Sequence, residues 1–323
     1  MPARVVLLGS DPIALPAFEA VAALPGVEVV QVWSQPDRPS GRGQEVGPNA
    51  VSAWALARGL PLRRPERFDE AEDAALAALG ADLAVVMAYG QLLREPTLAV
   101  PRLGFVNLHG SLLPALRGAT PVEGALALGL AETGVTLQQV VRRLDAGPVL
   151  AVRRMPVPSD IAREALRAAM GVVAAGLAAE AVPALLAGRL APTPQEESAA
   201  THTRRLTRED APLDFARPAA VLANRVRALE GWPGSTCLLG DVRLKVGRAD
   251  AEVAEAGASP GTVLSADASG VRVATGAGVL RLLELQRPGG RMLPAAAFLA
   301  GFRIEPGATF APEPMTELVV ARR

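Results

Sequence analysis

The stretch Arg4-Val-Val-Leu-Leu-Gly-Ser-Asp-Pro-Ile-Ala-Leu-Pro-Ala-Phe-Glu-Ala-Val-Ala-Ala-Leu-Pro-Gly-Val-Glu-Val-Val-Gln-Val-Trp33 decides the fold class. It opens as an apolar run that ends in Gly9-Ser10-Asp11, a tight polar turn. Apolar residues at helical spacing follow from Leu15 to Leu24, and Val27 to Trp33 returns as a second β-branched run. Strand, turn, helix and strand make a βαβ unit, and runs this continuously apolar belong to strands buried on both faces. The turn holds one glycine and lacks the Gly-x-Gly-x-x-Gly spacing, so a dinucleotide site has little support.

The same alternation continues outward. Ser34 to Pro48 is a long stretch expected to lack regular structure, and such loops are commonly functional. Helix (about 50–58), strand (60–63) and helix (70–79) follow. Ala81 to Met87 is apolar enough for a central strand and ends in Ala88-Tyr89-Gly90. Next comes Gly104-Phe-Val-Asn-Leu-His-Gly-Ser-Leu-Leu-Pro-Ala-Leu-Arg-Gly118. Asn107 and His109 are two residues apart, so on a strand their side chains leave on one side. Gly110-Ser111 then turns the chain and Pro114 stops regular structure. A helix (121–129), a strand (133–141), the loop around Leu144-Asp145-Ala146-Gly147, a strand (149–152) and a long Ala-rich helix (161–190) complete this half.

At 323 residues the chain has room for two domains. The composition shifts over 191–203, which reads as a linker between an α/β domain at 1–190 and a second domain at 204–310. The second domain shows a helix (218–229) and short strands separated by Gly-rich turns, as in a small Greek-key barrel. Residues 311–323 read as a tail. Aromatic residues make up 3% of the chain, so the core is built from Ala, Leu and Val. The longest apolar candidate, Ala168 to Ala179, is too short to span a bilayer, and Met1 to Val5 shows no leader pattern. The single Cys237 excludes an internal disulfide framework and a Cys-based zinc site. A cytoplasmic protein with no membrane partner is expected. Net charge is zero, which argues against a uniformly basic nucleic-acid binder but leaves room for a local patch.

In an open α/β sheet the ligand sits beyond the carboxyl ends of the strands. Three loops end there: Ala88-Tyr89-Gly90, Asn107 to Pro114, and Leu144 to Gly147. The chain has two histidines, and His202 falls in the linker, which leaves His109 for acid–base chemistry near neutral pH. An amide and an imidazole at one strand end suit oxyanion stabilisation, and Asp145 could orient the ring. An Asp before a glycine is also an ordinary turn former, and a lone buried His is also an ordinary core residue. On spacing alone both readings stay open.

The motifs Asn107-Leu-His-Gly-Ser-Leu-Leu-Pro114, Arg117-Gly-Ala-Thr-Pro121 and Leu144-Asp-Ala-Gly147 resemble the signature of 10-formyltetrahydrofolate-dependent formyltransferases. Gln35-Pro-Asp-Arg-Pro-Ser-Gly-Arg-Gly43, Ala88-Tyr-Gly-Gln91, Trp232-Pro-Gly234 and Glu284-Leu-Gln-Arg-Pro-Gly-Gly290 narrow the resemblance to the methionyl-tRNA formyltransferase branch. It runs from about Val5 to Pro306, and it implies a Rossmann-like, mostly parallel sheet domain followed by a smaller OB-like β-barrel domain. It implies catalytic positions at Asn107, His109 and Asp145. It also implies a folate site at Ser111, Leu112, Leu113 and Pro114 and along the backbone of Met87, Ala88, Tyr89 and Gly90. The co-substrate would be 10-formyltetrahydrofolate, with no metal, and the partner initiator methionyl-tRNA, met by a monomer. Expected tRNA contacts are Arg38 and Arg42 in the first loop and Arg204, Arg205, Arg243 and Lys245 in the second half, with Arg208, Arg225, Arg227 and Arg248 adding to one basic face. The chain departs from the family at Gln44-Glu45, where lysines are common, at Asp160-Ile161-Ala162, where a Thr/Ser pair is common, and at His202. Two other readings remain: formyl transfer to a small amine such as a sugar nucleotide or glycinamide ribonucleotide, and a folate- or tRNA-binding module without catalysis.

Overall fold

The computed structural model describes residues 1–40, 45–255 and 257–321. The first half carries β1 (Ala3–Leu8), α1 (Leu15–Ala22), β2 (Val27–Trp33), β3 (Arg38–Ser40), β4 (Glu45–Gly47), α2 (Ala50–Ala57), β5 (Leu62–Arg63), α3 (Glu70–Ala78) and β6 (Leu83–Val86). It continues with α4 (Glu95–Leu98), β7 (Phe105–His109), β8 (Arg117–Gly118), α5 (Pro121–Ala127), β9 (Glu132–Gln139), β10 (Val149–Pro156) and α6 (Arg163–Leu186). After β11 (Thr201–Thr203) come α7 (Ala219–Ala228), β12 (Ser235–Leu239), β13 (Val242–Glu252), β14 (Val263–Asp267), β15 (Gly270–Ala274), β16 (Val279–Gln286), β17 (Leu293–Pro294), α8 (Ala295–Gly301) and β18 (Val319–Ala321).

Seven strands form one sheet in the order β10-β9-β7-β6-β1-β2-β5. The pairs from β7 to β5 are parallel, and β9 and β10 are antiparallel. Alternation sorts the apolar residues onto two cores. Val5, Leu7, Val85, Val106 and Leu108 face α1 and α6, while Val6, Leu8, Ala84 and Phe105 join Trp33 and Leu76 on the other side. This is why the strands read as unbroken apolar runs: each face has its own helix layer. Asn49 and Asp69 cap α2 and α3 through their side chains, which accept from backbone amides of the first turn.

Helix α6 is 24 residues long, and by length and composition it could cross a membrane. It exceeds the apolar run expected from the sequence because the helix continues past Arg167 and Glu180, the charges that bound that run. Leu166, Met170, Ala174, Leu177, Ala178, Val182 and Leu185 are buried against the sheet, so its apolar face is spent on the core.

The second half is an antiparallel sheet, β12-β13-β16-β15-β14, with β17 beside β16. The segment near Thr309 and Phe310 bridges to both edges, at Leu239 and at Thr262, and so closes the sheet into a barrel. Helix α7 buries Leu222, Ala223 and Val226 in its core, where Phe215 and Phe310 stack at 5.2 Å.

Two expectations change here. The stretch 34–48 holds a short antiparallel ladder, β3 against β4, too brief to show a period in sequence. The stretch 191–203 and the tail each hold a short strand: β11 pairs in parallel with β8 and antiparallel with β18. That three-stranded sheet joins the middle of the first half, the stretch read as a linker, and the end of the chain.

Candidate active site

Register builds the site. Strand β7 pairs with β9 so that Asn107 lies opposite Gln138 and His109 opposite Thr136. Residues facing each other in a ladder share a sheet face, so these four side chains converge at the carboxyl end of β7. Thr136 fixes the turn that follows: its hydroxyl donates to Ser111 O (2.7 Å) and accepts from Leu113 N (3.1 Å). Ser111 Oγ donates to Ala115 O (2.6 Å), and the Leu113–Pro114 peptide is cis. Leu112 packs over Gly134, where a Cβ would meet its Cδ2 at 2.6 Å.

The turn folds back so that Leu116 O lies 2.9 Å from His109 Nε2. A carbonyl only accepts, so Nε2 carries the hydrogen and Nδ1 is the nitrogen free to exchange a proton. Nδ1 lies 3.6 Å from Asp145 Oδ1, and both side chains are nearly buried, at 6% and 9% exposed. Asp145 is held from two sides: Gly118 N donates to Oδ2 (2.8 Å) and Gln138 Nε2 to Oδ1 (3.1 Å). The Asn107 amide is half-buried and has no hydrogen-bond partner among the described residues. Asn107, His109 and Asp145 thus share one strand end. Two donors converging on one oxygen were expected from Asn107 and His109. The structure gives Nε2–H to Leu116 O and leaves Nδ1 on the Asp145 side.

The loop after β6 lies beside this strand end, since β6 pairs with β7. Ala88 and Gly90 adopt left-handed backbone, with φ of 49° and 81°. Ser10 reaches Ala88 O with its hydroxyl (3.0 Å) and its amide (3.2 Å), and Gln35 Nε2 donates to Tyr89 O (2.9 Å). Met87 and Tyr89 are buried, and burial pushes the Tyr89 phenol well above its ordinary range. Gly9 allows the close approach of β1, since a Cβ there would lie 2.8 Å from Met87 O.

Comparison with known proteins matches this architecture. The formyl transferase family description fits residues 14–179, and that of the formyl transferase C-terminal domain fits 205–303. Methionyl-tRNA formyltransferase of Halorhodospira halophila is 41% identical over 307 residues, covering 95% of this chain and 99% of its own. The enzyme of the same name from Thiobacillus denitrificans is 42% identical over 306 residues, covering 94% and 98%. The chain belongs to the methionyl-tRNA formyltransferase family.

Among solved structures, an N-formyltransferase of Helicobacter canadensis in complex with folinic acid and dTDP-3-aminofucose superposes with a TM-score of 0.66 at 12% identity, covering 87% of this chain and 99% of that one. HypX of Aquifex aeolicus in complex with tetrahydrofolic acid gives 0.58 at 17% identity; it covers all of this chain, which spans 51% of HypX. At such identities these two speak for the fold alone.

The cations expected to meet tRNA divide in this family member. Arg38 pairs with Glu66 (2.5 Å), Arg204 with Asp210 (2.5 Å) and Arg243 with Glu313 (2.7 Å). Arg205 is exposed and reaches Gly90 O at 3.4 Å, and Lys245 is exposed with no ion pair among the described residues. Arg42 lies outside the described residues. Two members of the expected basic face are misplaced: Arg225 is 4% exposed and donates to Asp210 O and Thr316 O, and Arg227 donates to Ile161 O and Asn224. Their sequence signal, arginines on one helix beside other cations, is the same as that of a surface patch; only burial separates them.

Asp210 anchors the junction of Arg204, Thr207 and Thr316. It is fully buried. Burial pushes its carboxyl up, but Arg204, the Thr316 hydroxyl and the Thr207 amide outweigh that and hold it at about 2. Reading the sequence missed Gln138 and Gln195 as well. Gln138 carries a usable signal, since it alternates with Thr136 as a polar face opposite the apolar Val135 and Leu137. Gln195 carries none, because it lies in a polar segment.

Proposed function

We propose that the protein transfers the formyl group of 10-formyltetrahydrofolate to the α-amino group of methionyl initiator tRNA for translation initiation, acting as a cytoplasmic monomer. The observation that carries this reading is the gathering of Asn107, His109 and Asp145 at one strand end, in a chain whose relatives over nearly its whole length bear that activity in their names. We assign residues 1–190 to the catalytic domain, 204–310 to the barrel that meets tRNA, and the segment between them to a connection that also touches the site.

The residue types fit the chemistry. An α-amino group titrates near about 7.7–8.0, so a large neutral fraction is present at neutral pH and little activation is needed. Attack forms a bond from the amine nitrogen to the formyl carbon. Asn107, whose amide has no partner among the described residues, donates to the oxygen on which negative charge develops. His109 Nδ1, facing Asp145, takes a proton from the attacking amine and returns one to the departing folate nitrogen as its bond to the formyl carbon breaks. Met87 to Gly90 and Ser111 to Pro114 form the two walls that hold the folate ring system. Among the described residues Arg205 and Lys245 are available to phosphate, with Arg38, Arg204 and Arg243 reaching it only by leaving their carboxylates; Arg42 is assigned to tRNA by the family resemblance alone.

The test is direct. Incubation with 10-formyltetrahydrofolate and charged initiator tRNA should yield formyl-methionine on hydrolysis of the ester. Absence of that product, with formylation of a free amino sugar nucleotide in its place, would overturn the assignment.

A further inference from the structure

The carboxamide of Gln195 lies in the stretch between α6 and β11, outside both walls of the site. Its Oε1 accepts from Arg117 Nε (3.0 Å) and Nη2 (2.7 Å). Its Nε2 lies 2.9 Å from Asp145 O, 2.7 Å from Gly147 O and 3.2 Å from Gln138 Oε1. A guanidinium only donates and a carbonyl only accepts, so the network itself fixes which way the amide points. Arg117 cannot wander: it is 1% exposed, and Glu197 lies 2.7 Å from its Nη1. Glu197 also pairs with Arg143, and these two arginines, Arg143 foremost, hold its carboxyl down at about 2.

Asp145 has φ of 50°, the left-handed region that a residue with a side chain seldom occupies. Backbone in that region persists only where its surroundings over-determine it. Gly118 and Gln138 hold the carboxylate, but neither holds the main chain of the loop. Gln195 does, at the carbonyl of Asp145 itself and at that of Gly147, two residues on.

We propose that Gln195 is a positioning residue for the reaction: its N–H groups clamp the Asp145 and Gly147 carbonyls and keep Asp145 Oδ1 facing His109. The inference rests on the proposed formyl transfer. On this reading Gln195 acts through the Asp145 loop, so its loss lowers kcat and leaves the affinity of either substrate in place.

The decisive measurement is a double-mutant cycle. Gln195→Met keeps the length and removes every hydrogen bond; Gln195→Glu keeps the acceptor for Arg117 and removes the two N–H groups. Each should lower kcat at least tenfold with KM for tRNA and for folate within twofold of wild type. In an Asp145→Ala background, Gln195→Met should cost less than twofold more, since the residue it positions is gone. Loss of equal size in both backgrounds would overturn the proposal, as would wild-type kcat in Gln195→Met. Hydrogen exchange reads the clamp without any reaction. Gln195→Met should speed exchange of the Gly118 amide and of residues 142–147, with the barrel unchanged. Unaltered exchange there overturns the clamp even if the wild-type protein proves inactive on methionyl-tRNA, an outcome that counts against the proposed function and not against Gln195.

Discussion

The carboxyl end of the seven-stranded sheet and the cationic surface of the second half use polar side chains in opposite ways. At the strand end they are buried or half-buried, and ladder register gathers them into one network: Thr136 fixes the turn that follows His109, and Gln138, opposite Asn107, donates to Asp145. On the barrel side the cations are largely exposed, and several are matched to nearby acids, as Arg243 is to Glu313. A buried polar group without a partner costs about 1–3 kcal/mol, so its geometry is forced. An exposed ion pair is worth about 0–1 kcal/mol, so its geometry is not. Mutations in the first region should therefore act on the chemical step, and those in the second on stability or on salt dependence.

The largest effects are expected at the strand end. Asn107→Ala should lower turnover by roughly 10²–10³, the scale of losing a donor at a developing oxyanion, and His109→Ala by roughly 10²–10⁴, the scale of losing a general acid–base group, both with folding intact. Asp145→Ala should act similarly. Single-turnover formylation with saturating tRNA reads this directly; near-normal turnover in His109→Ala would erase the contrast between the regions. Next is Gly118→Ala. Gly118 has φ of 110°, and a Cβ there would lie 2.1 Å from Thr203 O. Strain of about 1–3 kcal/mol is expected from the backbone alone. Relief must move β8 from β11 and stretch the Gly118 contact to Asp145, so both Tm and kcat should fall. A drop in Tm with kcat untouched would separate β8 from the site.

How far the sequence discloses each region follows from the same contrast. The period of a strand placed Asn107 and His109 on one side, and the strand-end rule picked out the loop of Asp145. The residues alone left catalysis and simple packing open, and the resemblance to formyltransferases tipped the balance. The Ser111–Pro114 wall came from that resemblance only. Gln195 was beyond reach because its partners Gln138 and Asp145 lie 57 and 50 residues away and no periodicity links them. Strands β8, β11 and β18, with two or three residues each, are too short to show alternation. The arginines failed for a different reason. Charge is written in the sequence, but whether a carboxylate 70 residues off neutralises it, as Glu313 does Arg243, is decided by the fold.

Asp210 tests the region between the two. Its carboxyl is depressed from 3.8 to about 2, so it adds stability above the ordinary carboxylate range and loses it as pH falls from about 4 toward 2. At about 1.4 kcal/mol per pH unit the contribution is about 2 kcal/mol. Asp210→Asn should therefore lower stability at pH 7 and flatten the acid limb in that window. Denaturant midpoints measured from pH 7 to pH 2.5 supply the check, and an unchanged acid limb would mean that Arg204 and Thr316 lend the junction nothing.

The smallest effect separates the cations themselves. A cation that neutralises one phosphate adds about 0.9 to the slope of log affinity against log salt on duplex and about 0.7 on a single strand. Lys245 has no ion pair to break among the described residues, so Lys245→Ala should reduce the slope of tRNA binding by about one. Arg243 meets Glu313 through two nitrogens, at 2.7 and 3.1 Å, and must leave that carboxylate before it can hold a phosphate. Arg243→Ala should change the slope by clearly less than Lys245→Ala. Glu313→Gln should then release the guanidinium, tighten binding and steepen the slope. Filter-binding titrations between about 50 and 200 mM salt resolve a change of one in slope. If Arg243→Ala and Lys245→Ala reduce it equally, with Glu313→Gln silent, the ion pair opens at no cost when tRNA arrives. Pairing in the free protein would then say nothing about which arginines the nucleic acid uses.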